Sequence, residues 1–95
     1  MMENLLIGGI LFLAGLILRI FPPRRINHLY GYRTRRARRN IENWTLANRY
    51  SSKLLMIIGL ILLLVAWVTE STLVTSILAG ILILILFVLV EFKLD

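Results

Sequence analysis

Apolar residues fill three long runs, 5–21, 54–68 and 73–92, with one long polar stretch between the first two and a short one before the third. None of the runs alternates with a period of two, so they read as helices and not as strands of a membrane barrel. A bilayer core of about 30 Å takes roughly 20 helical residues, which the third run supplies unaided. The first run is shorter and carries Arg19 near its end, where a long side chain can reach the headgroups. The second is the shortest, and its helix is expected to begin earlier, in the amphipathic stretch around Trp44. The pattern predicts an all-α membrane protein with three transmembrane helices in one domain, 1–95. Helix 1 is placed at about 4–21, a motif loop at 22–39, helix 2 at about 40–69 and helix 3 at about 72–92.

Local signals sharpen this outline. Pro22-Pro23 stops the first helix, because proline removes backbone donors and constrains the residue before it. Residues 26–34 have no helical period, and Gly31 between two tyrosines predicts a tight bend or a close backbone approach. Asn40 is placed to cap a new helix, with Glu42 complementing the dipole in its first turn. From there Asn40, Trp44, Ala47, Asn48, Ser51 and Leu55 recur on one face, while Arg49 and Lys53 point elsewhere. Helices 2 and 3 are joined by only a few residues and should pack as an antiparallel hairpin. Gly8, Gly9 and Gly15 offer places for close helix approach, as do the small-residue pairs Thr75/Ala79 and Ser76/Gly80.

Composition agrees with the pattern: 59% of the 95 residues are apolar, and the mean hydropathy is +0.85. Charge adds an orientation. Ten of the eleven Lys and Arg residues lie between Arg19 and Lys53, with Glu42 the single acid among them. By the positive-inside rule this stretch is a basic cytoplasmic loop, which gives an N-out, C-in topology. Trp44 and Trp67 then fall at the inner and outer interfaces. The N-terminal residues include Glu3 and no Lys or Arg, and no small-residue cleavage pattern follows the first run, so it reads as an anchor and not as a signal peptide. Glu91 lies at a depth similar to Arg19, and either pairs with it or faces the headgroups.

Most of the arginines need no ligand to explain them. Arg24, Arg25, Arg35, Arg36, Arg38 and Arg39 read as topology signals and anchors on anionic lipid headgroups, each contributing about 1 kcal/mol near such a surface. The phosphates nearest to them are those of the membrane, so nucleic acid is not an expected partner. Arg33 differs, because Asn27, Tyr30, Gly31, Tyr32 and Thr34 surround it. A guanidinium among hydroxyls and amides suits bidentate binding of a carboxylate or phosphate. The same groups also fit a structural staple, because Asn27, Tyr32 and Arg33 are placed to reach open carbonyls at the end of helix 1. No catalytic set, phosphate-binding glycine loop or metal motif is visible, no cofactor is expected, and enzymatic activity is disfavoured. There is no Cys, and His28 is the single His, which with Glu42 makes only a weak base pair.

The spacing N-x-x-Y-G-Y-R-T followed by N-x-x-x-W-x-x-A-N, here Asn27 to Thr34 and Asn40 to Asn48, resembles the SdpI family of bacterial membrane proteins. Tyr30, Gly31, Tyr32, Arg33, Thr34, Trp44, Ala47 and Asn48 carry the resemblance. Ile26 departs from a usual Pro, Ala37 from a common Ser, and Ser52 from a frequent Gly. The resemblance implies a multi-pass protein of the bacterial cytoplasmic (inner) membrane and of immunity type, protecting a cell from a membrane-active peptide toxin. In the founding case it also implies holding a cytoplasmic repressor protein at the membrane when toxin is present. Longer relatives carry further membrane helices ahead of this module.

The sequence therefore predicts an immunity or signalling protein that binds a peptide, protein or lipid ligand through Asn27, Tyr30, Gly31, Tyr32, Arg33, Thr34, Asn40, Trp44 and Asn48. The alternatives are a lipid-phosphate binding or transport module, a small lipid-processing enzyme using the Asn, Tyr, Arg and Glu42 groups, and a structural homo-oligomer.

Overall fold

The computed structural model of the chain describes residues 2–27 and 29–94, with side chains from residue 4 onward. His28 lies outside the described residues, and so do the readings that would use it. Three helices follow in order, α1 (Met2–Ile20), α2 (Ile41–Thr69) and α3 (Thr72–Lys93), with no strand among the described residues.

Each helix ends for a local reason. Ile20 is followed by Phe21 and the two prolines, which cannot continue the backbone ladder. The Asn40 side chain caps α2 by accepting from the Asn43 amide at 2.7 Å. Glu70 closes α2 in the left-handed region at φ 53°, its amide donating to the Ala66 carbonyl at 3.0 Å. Ser71 then caps α3, accepting from Val74 at 3.2 Å. Two residues thus reverse the chain, and α2 and α3 pack as a hairpin.

α1 packs along α2 far more extensively than either packs on α3, and α1 and α3 barely meet. Small residues set the α1–α2 distance. A methyl group at Gly8 would lie 2.8 Å from the Leu63 backbone, one at Gly15 2.7 Å from the Ser52 carbonyl, and one at Gly59 2.5 Å from the Phe12 backbone. Gly9 does not share this role, because its Cβ position faces open space. On α3, Thr75 and Ala79 are buried in the bundle, whereas Ser76 is exposed and Gly80 faces open space. The chain therefore uses one of the two small-residue pairs of α3 internally.

The outward faces are apolar. Leu6, Ile10, Leu13 and Ile17 on α1, Leu60 and Leu64 on α2, and Leu73, Leu84 and Phe92 on α3 are all exposed. An apolar surface that extends along all three helices is unstable in water and matches lipid. α2 and α3 are long and apolar enough to cross a membrane, and α1 has a shorter apolar stretch. The bundle measures 42 × 23 × 18 Å, and the long axis equals the thickness of a bilayer with its headgroups, about 40–45 Å. The 29 residues of α2 exceed the roughly 20 needed for the hydrocarbon, so its polar first turns extend beyond it.

Candidate functional site

The first turns of α2 bury a polar stripe against the segment between α1 and α2. Asn43, Trp44, Ala47, Asn48, Ser51 and Ser52 are all buried there, while Arg49 and Lys53 are exposed. Residues three and four apart share a helix face, so a single stripe can hold a folded loop. Trp44 is 0% exposed, and its indole N–H donates to the Pro23 carbonyl at 2.6 Å. The hydrogen bond satisfies a group that proline geometry leaves without a helical partner, and it pins the turn that ends α1.

Asn48 acts as a substitute peptide group. Its Oδ1 accepts from the Tyr32 amide at 2.6 Å, and its Nδ2 donates to the Tyr32 carbonyl at 3.3 Å and to the Trp44 carbonyl at 2.9 Å. Gly31, at φ +101°, brings the chain into this clamp. A Cβ there would sit 2.4 Å from Asn48 Oδ1 and 2.8 Å from the Pro23 ring, so both conformation and space demand glycine.

The residues before the clamp form their own turn. Asn27 Oδ1 accepts from the amides of Leu29 at 2.9 Å and Tyr30 at 2.8 Å, and its Nδ2 donates to the Arg25 carbonyl at 3.0 Å. The Tyr30 hydroxyl reaches the end of α1, donating to the Phe21 carbonyl at 2.7 Å with the Ile17 carbonyl 3.2 Å away. The open carbonyls of Ile17 and Phe21 are thus served by Tyr30, whereas Asn27 binds within its own turn and the Tyr32 hydroxyl turns to α3. Tyr30 belongs to the predicted motif, and closing α1 is a task that its sequence neighbours do not indicate.

Beyond the clamp the segment turns onto α3. The hydroxyls of Tyr32 and Thr34 both donate to Glu91 Oε2, at 2.9 and 2.8 Å. Thr34 Oγ1 also accepts from the Ala37 amide at 3.2 Å, holding the turn that follows. The Tyr32 ring lies 5.4 Å from that of Phe87, tilted by 40°. Burial, reinforced by the carboxylate acceptor, holds the Tyr32 hydroxyl well above its ordinary ionisation range, so it remains a donor. Glu91 is therefore engaged by the two motif hydroxyls and not by Arg19. Glu91 joins the site although it lies outside the predicted motif. An acidic group at the end of an otherwise apolar helix is the signal for it, since such a group is retained only with a partner.

The arginines divide by position. Arg24, Arg25, Arg35, Arg38 and Arg39 are exposed. Arg36, grouped with them in the sequence, is half-buried and donates to the Leu94 carbonyl, tying the loop to the end of α3. The Arg36 carbonyl in turn accepts from Asn43 Nδ2 at 3.0 Å. Arg33 is exposed beside Thr34, at the rim of a cleft.

The cleft lies where α1 and α3 barely meet. It holds about 630 Å³, and its walls are Ala14, Ile17 and Leu18 of α1, Leu55 of α2 and Ile83, Leu86 and Phe87 of α3. Tyr30, Gly31, Tyr32, Arg33, Thr34 and Ser51 line one end. The structure thus brings Tyr30 to Thr34 together at a cavity mouth. It places Asn27, Asn40, Trp44 and Asn48 behind them, as the residues that hold the mouth in shape. Among the described residues, no three His, Cys, Asp or Glu side chains come together to hold a metal ion. A largely apolar cleft with one polar, basic end is equipped for binding an amphipathic molecule.

The sequence profile of the SdpI/YfhL protein family matches residues 24–91, from the arginines after the proline pair to Glu91 itself. The "Uncharacterized protein YfhL" of Bacillus subtilis (strain 168) is 44% identical over 61 residues, which cover 64% of this chain and 56% of that protein. The match thus spans little more than half the length of that relative. No solved structure matches the chain. Asn48, Gly31, Trp44 and Glu91, which shape and hold the cavity mouth, all lie within the matched residues, and the chain belongs to the SdpI/YfhL family.

Proposed function

We propose that this chain is an immunity- or signalling-type protein of the bacterial cytoplasmic membrane, and that it works by taking a membrane-active peptide into the cleft between α1 and α3. The observation that carries this reading is the shape and chemistry of that cleft. Its apolar walls, exemplified by Ile17, Leu86 and Phe87, would take apolar side chains, and Arg33 at its rim would take a carboxylate. Because α1 and α3 barely touch, a molecule already dissolved in lipid would reach the cleft from between these two helices. The positive-inside rule places the motif end, Arg33 included, on the cytoplasmic side.

Expression in sensitive bacteria, followed by challenge with a panel of secreted membrane-active peptides, tests this. The wild-type chain should raise survival against at least one peptide. Ala14→Trp, which fills the cleft from α1, should abolish that protection, while Leu6→Trp on the lipid-facing surface should keep it. Protection by neither wild type nor variants against any peptide would overturn the immunity reading.

A second reading rests on Arg33 at the polar end of an apolar cleft, whose guanidinium also suits the headgroup phosphate of a lipid with its chain in the cleft. It is distinguished by a copurifying lipid that Ala14→Trp expels, in the absence of any peptide protection.

A further inference from the structure

A second cavity lies on the other side of Leu18 from the cleft. It holds about 430 Å³, and Arg19, Arg24 and Arg49 line it together with Thr45. We propose that it is a discrete phosphate-binding site, taking the phosphate of an anionic lipid headgroup or a free phosphate.

Three arginines arrive here from three parts of the chain: the last turn of α1, the turn after the proline pair, and the exposed face of α2. Among the described residues, none of the three guanidiniums meets a carboxylate or any other side-chain acceptor, and no acidic residue lines the cavity. Like charges gathered on one concave surface repel each other unless an anion joins them. A phosphate, with several acceptor oxygens, matches the planar donor fork of each guanidinium. The exposed Thr45 adds a hydroxyl donor from the same helix face.

The site is also held in shape. Pro22 and Pro23 form part of its wall, and the Trp44 indole fixes the Pro23 carbonyl at 2.6 Å. Asn48, whose amide is committed to Tyr32 and Trp44, forms another part. Arg24 therefore projects from an anchored turn and not from a loose loop. Arg19 is one residue from the end of an apolar helix, which is headgroup depth in a bilayer. Arg25 and Arg35 are equally exposed and equally basic but do not line the cavity. They are the natural controls.

The chain, purified in mild detergent and examined by native mass spectrometry, should retain one phosphatidic acid or phosphatidylglycerol in preference to phosphatidylcholine. The double variant Arg24→Gln/Arg49→Gln should lower that retention by about tenfold or more, as expected for losing two hydrogen bonds to a charged group. Arg25→Gln/Arg35→Gln, which removes the same net charge, should stay within about twofold of wild type. Thr45→Glu, which puts a carboxylate on the exposed wall, should reproduce the loss and guards against a folding defect in the double variant. Inorganic phosphate added to the lipid complex separates the two sources: displacement identifies free phosphate as the ligand, and persistence of the lipid identifies the headgroup. Equal loss in both double variants, or retention of lipid without preference for anionic species, would overturn the site.

Discussion

The side chain of Asn48 grips the backbone of Tyr32 from both sides, accepting from its amide at 2.6 Å and donating to its carbonyl at 3.3 Å. One residue of α2 thereby replaces a whole strand partner for the segment that carries Arg33 and Thr34. Its isostere Leu offers neither hydrogen bond and leaves buried backbone groups without partners, at a cost of about 1–3 kcal/mol each. Asn48→Leu should accordingly lower the thermal unfolding midpoint in detergent more than any exposed substitution on α2, such as Arg49→Leu. Similar midpoints for the two would show that the clamp contributes nothing.

Gly31 offers a sharper test, because two independent effects coincide there. Gly31→Ala places a Cβ 2.4 Å from Asn48 Oδ1 at a φ of +101°, a combination that should cost about 1–3 kcal/mol or more. Gly80→Ala, at a position whose Cβ meets only open space, should be neutral or slightly stabilising, since alanine favours a helix by about 1 kcal/mol over glycine. Unfolding midpoints of the two single variants compare the predictions directly.

The arginines should separate by geometry and not by charge. Arg33→Lys keeps the charge at the cleft mouth but loses the planar fork, and should weaken ligand retention or peptide protection by about tenfold. Arg35→Lys, exposed and away from both cavities, should change neither by more than about twofold. Arg36 is unsuitable as the silent control, because it donates to the Leu94 carbonyl. Equal tolerance at positions 33 and 35 would reduce Arg33 to one more headgroup anchor.

The Tyr32 hydroxyl predicts an alkaline limit. Its ordinary value is near 10.0, and in the folded chain burial and the Glu91 acceptor raise it. Above pH about 10 the unfolded chain loses this proton while the folded chain keeps it, so stability must fall as pH rises. Below that pH the contribution is fully present. Tyr32→Phe should be less stable than wild type at pH 7 yet show a flatter decline between pH about 9.5 and 11. An identical alkaline decline in both proteins would remove Tyr32 as its cause.

Orientation is open to chemical labelling. With the basic segment cytoplasmic, Arg35→Cys in intact cells should resist an impermeant maleimide, and Thr72→Cys should react. The reverse pattern would invert the proposed topology and place Arg33 on the outer side.

Features that depend on neighbours in the chain were legible beforehand. Three apolar runs announce three helices, Pro22-Pro23 announces the end of α1, and Asn40 announces the cap of α2, because each acts within a few residues of itself. The stripe of Trp44, Ala47, Asn48 and Ser51 was legible for the same reason, through the helical period. Partners across the chain were not. Nothing near Tyr32 in sequence points to a carboxylate 59 residues away, and nothing near Tyr30 marks it as the group that closes α1. Gly9 and Gly80 show the converse limit: a small residue permits close packing, but only the neighbouring helix decides whether it is used.

The reach from Thr34 to Glu91 sets an order of events during synthesis. The two partners are 57 residues apart, so at about 5–20 residues per second the ribosome delivers Glu91 roughly 3–11 s after Thr34. Asn48 follows Thr34 early in that interval, so its clamp on Tyr32 can form while both hydroxyls still wait for their acceptor. The hydroxyls at the cleft mouth thus find their acceptor only once α3 is in place. A chain that ends before Glu91 lacks the acceptor that orients Tyr32 and Thr34.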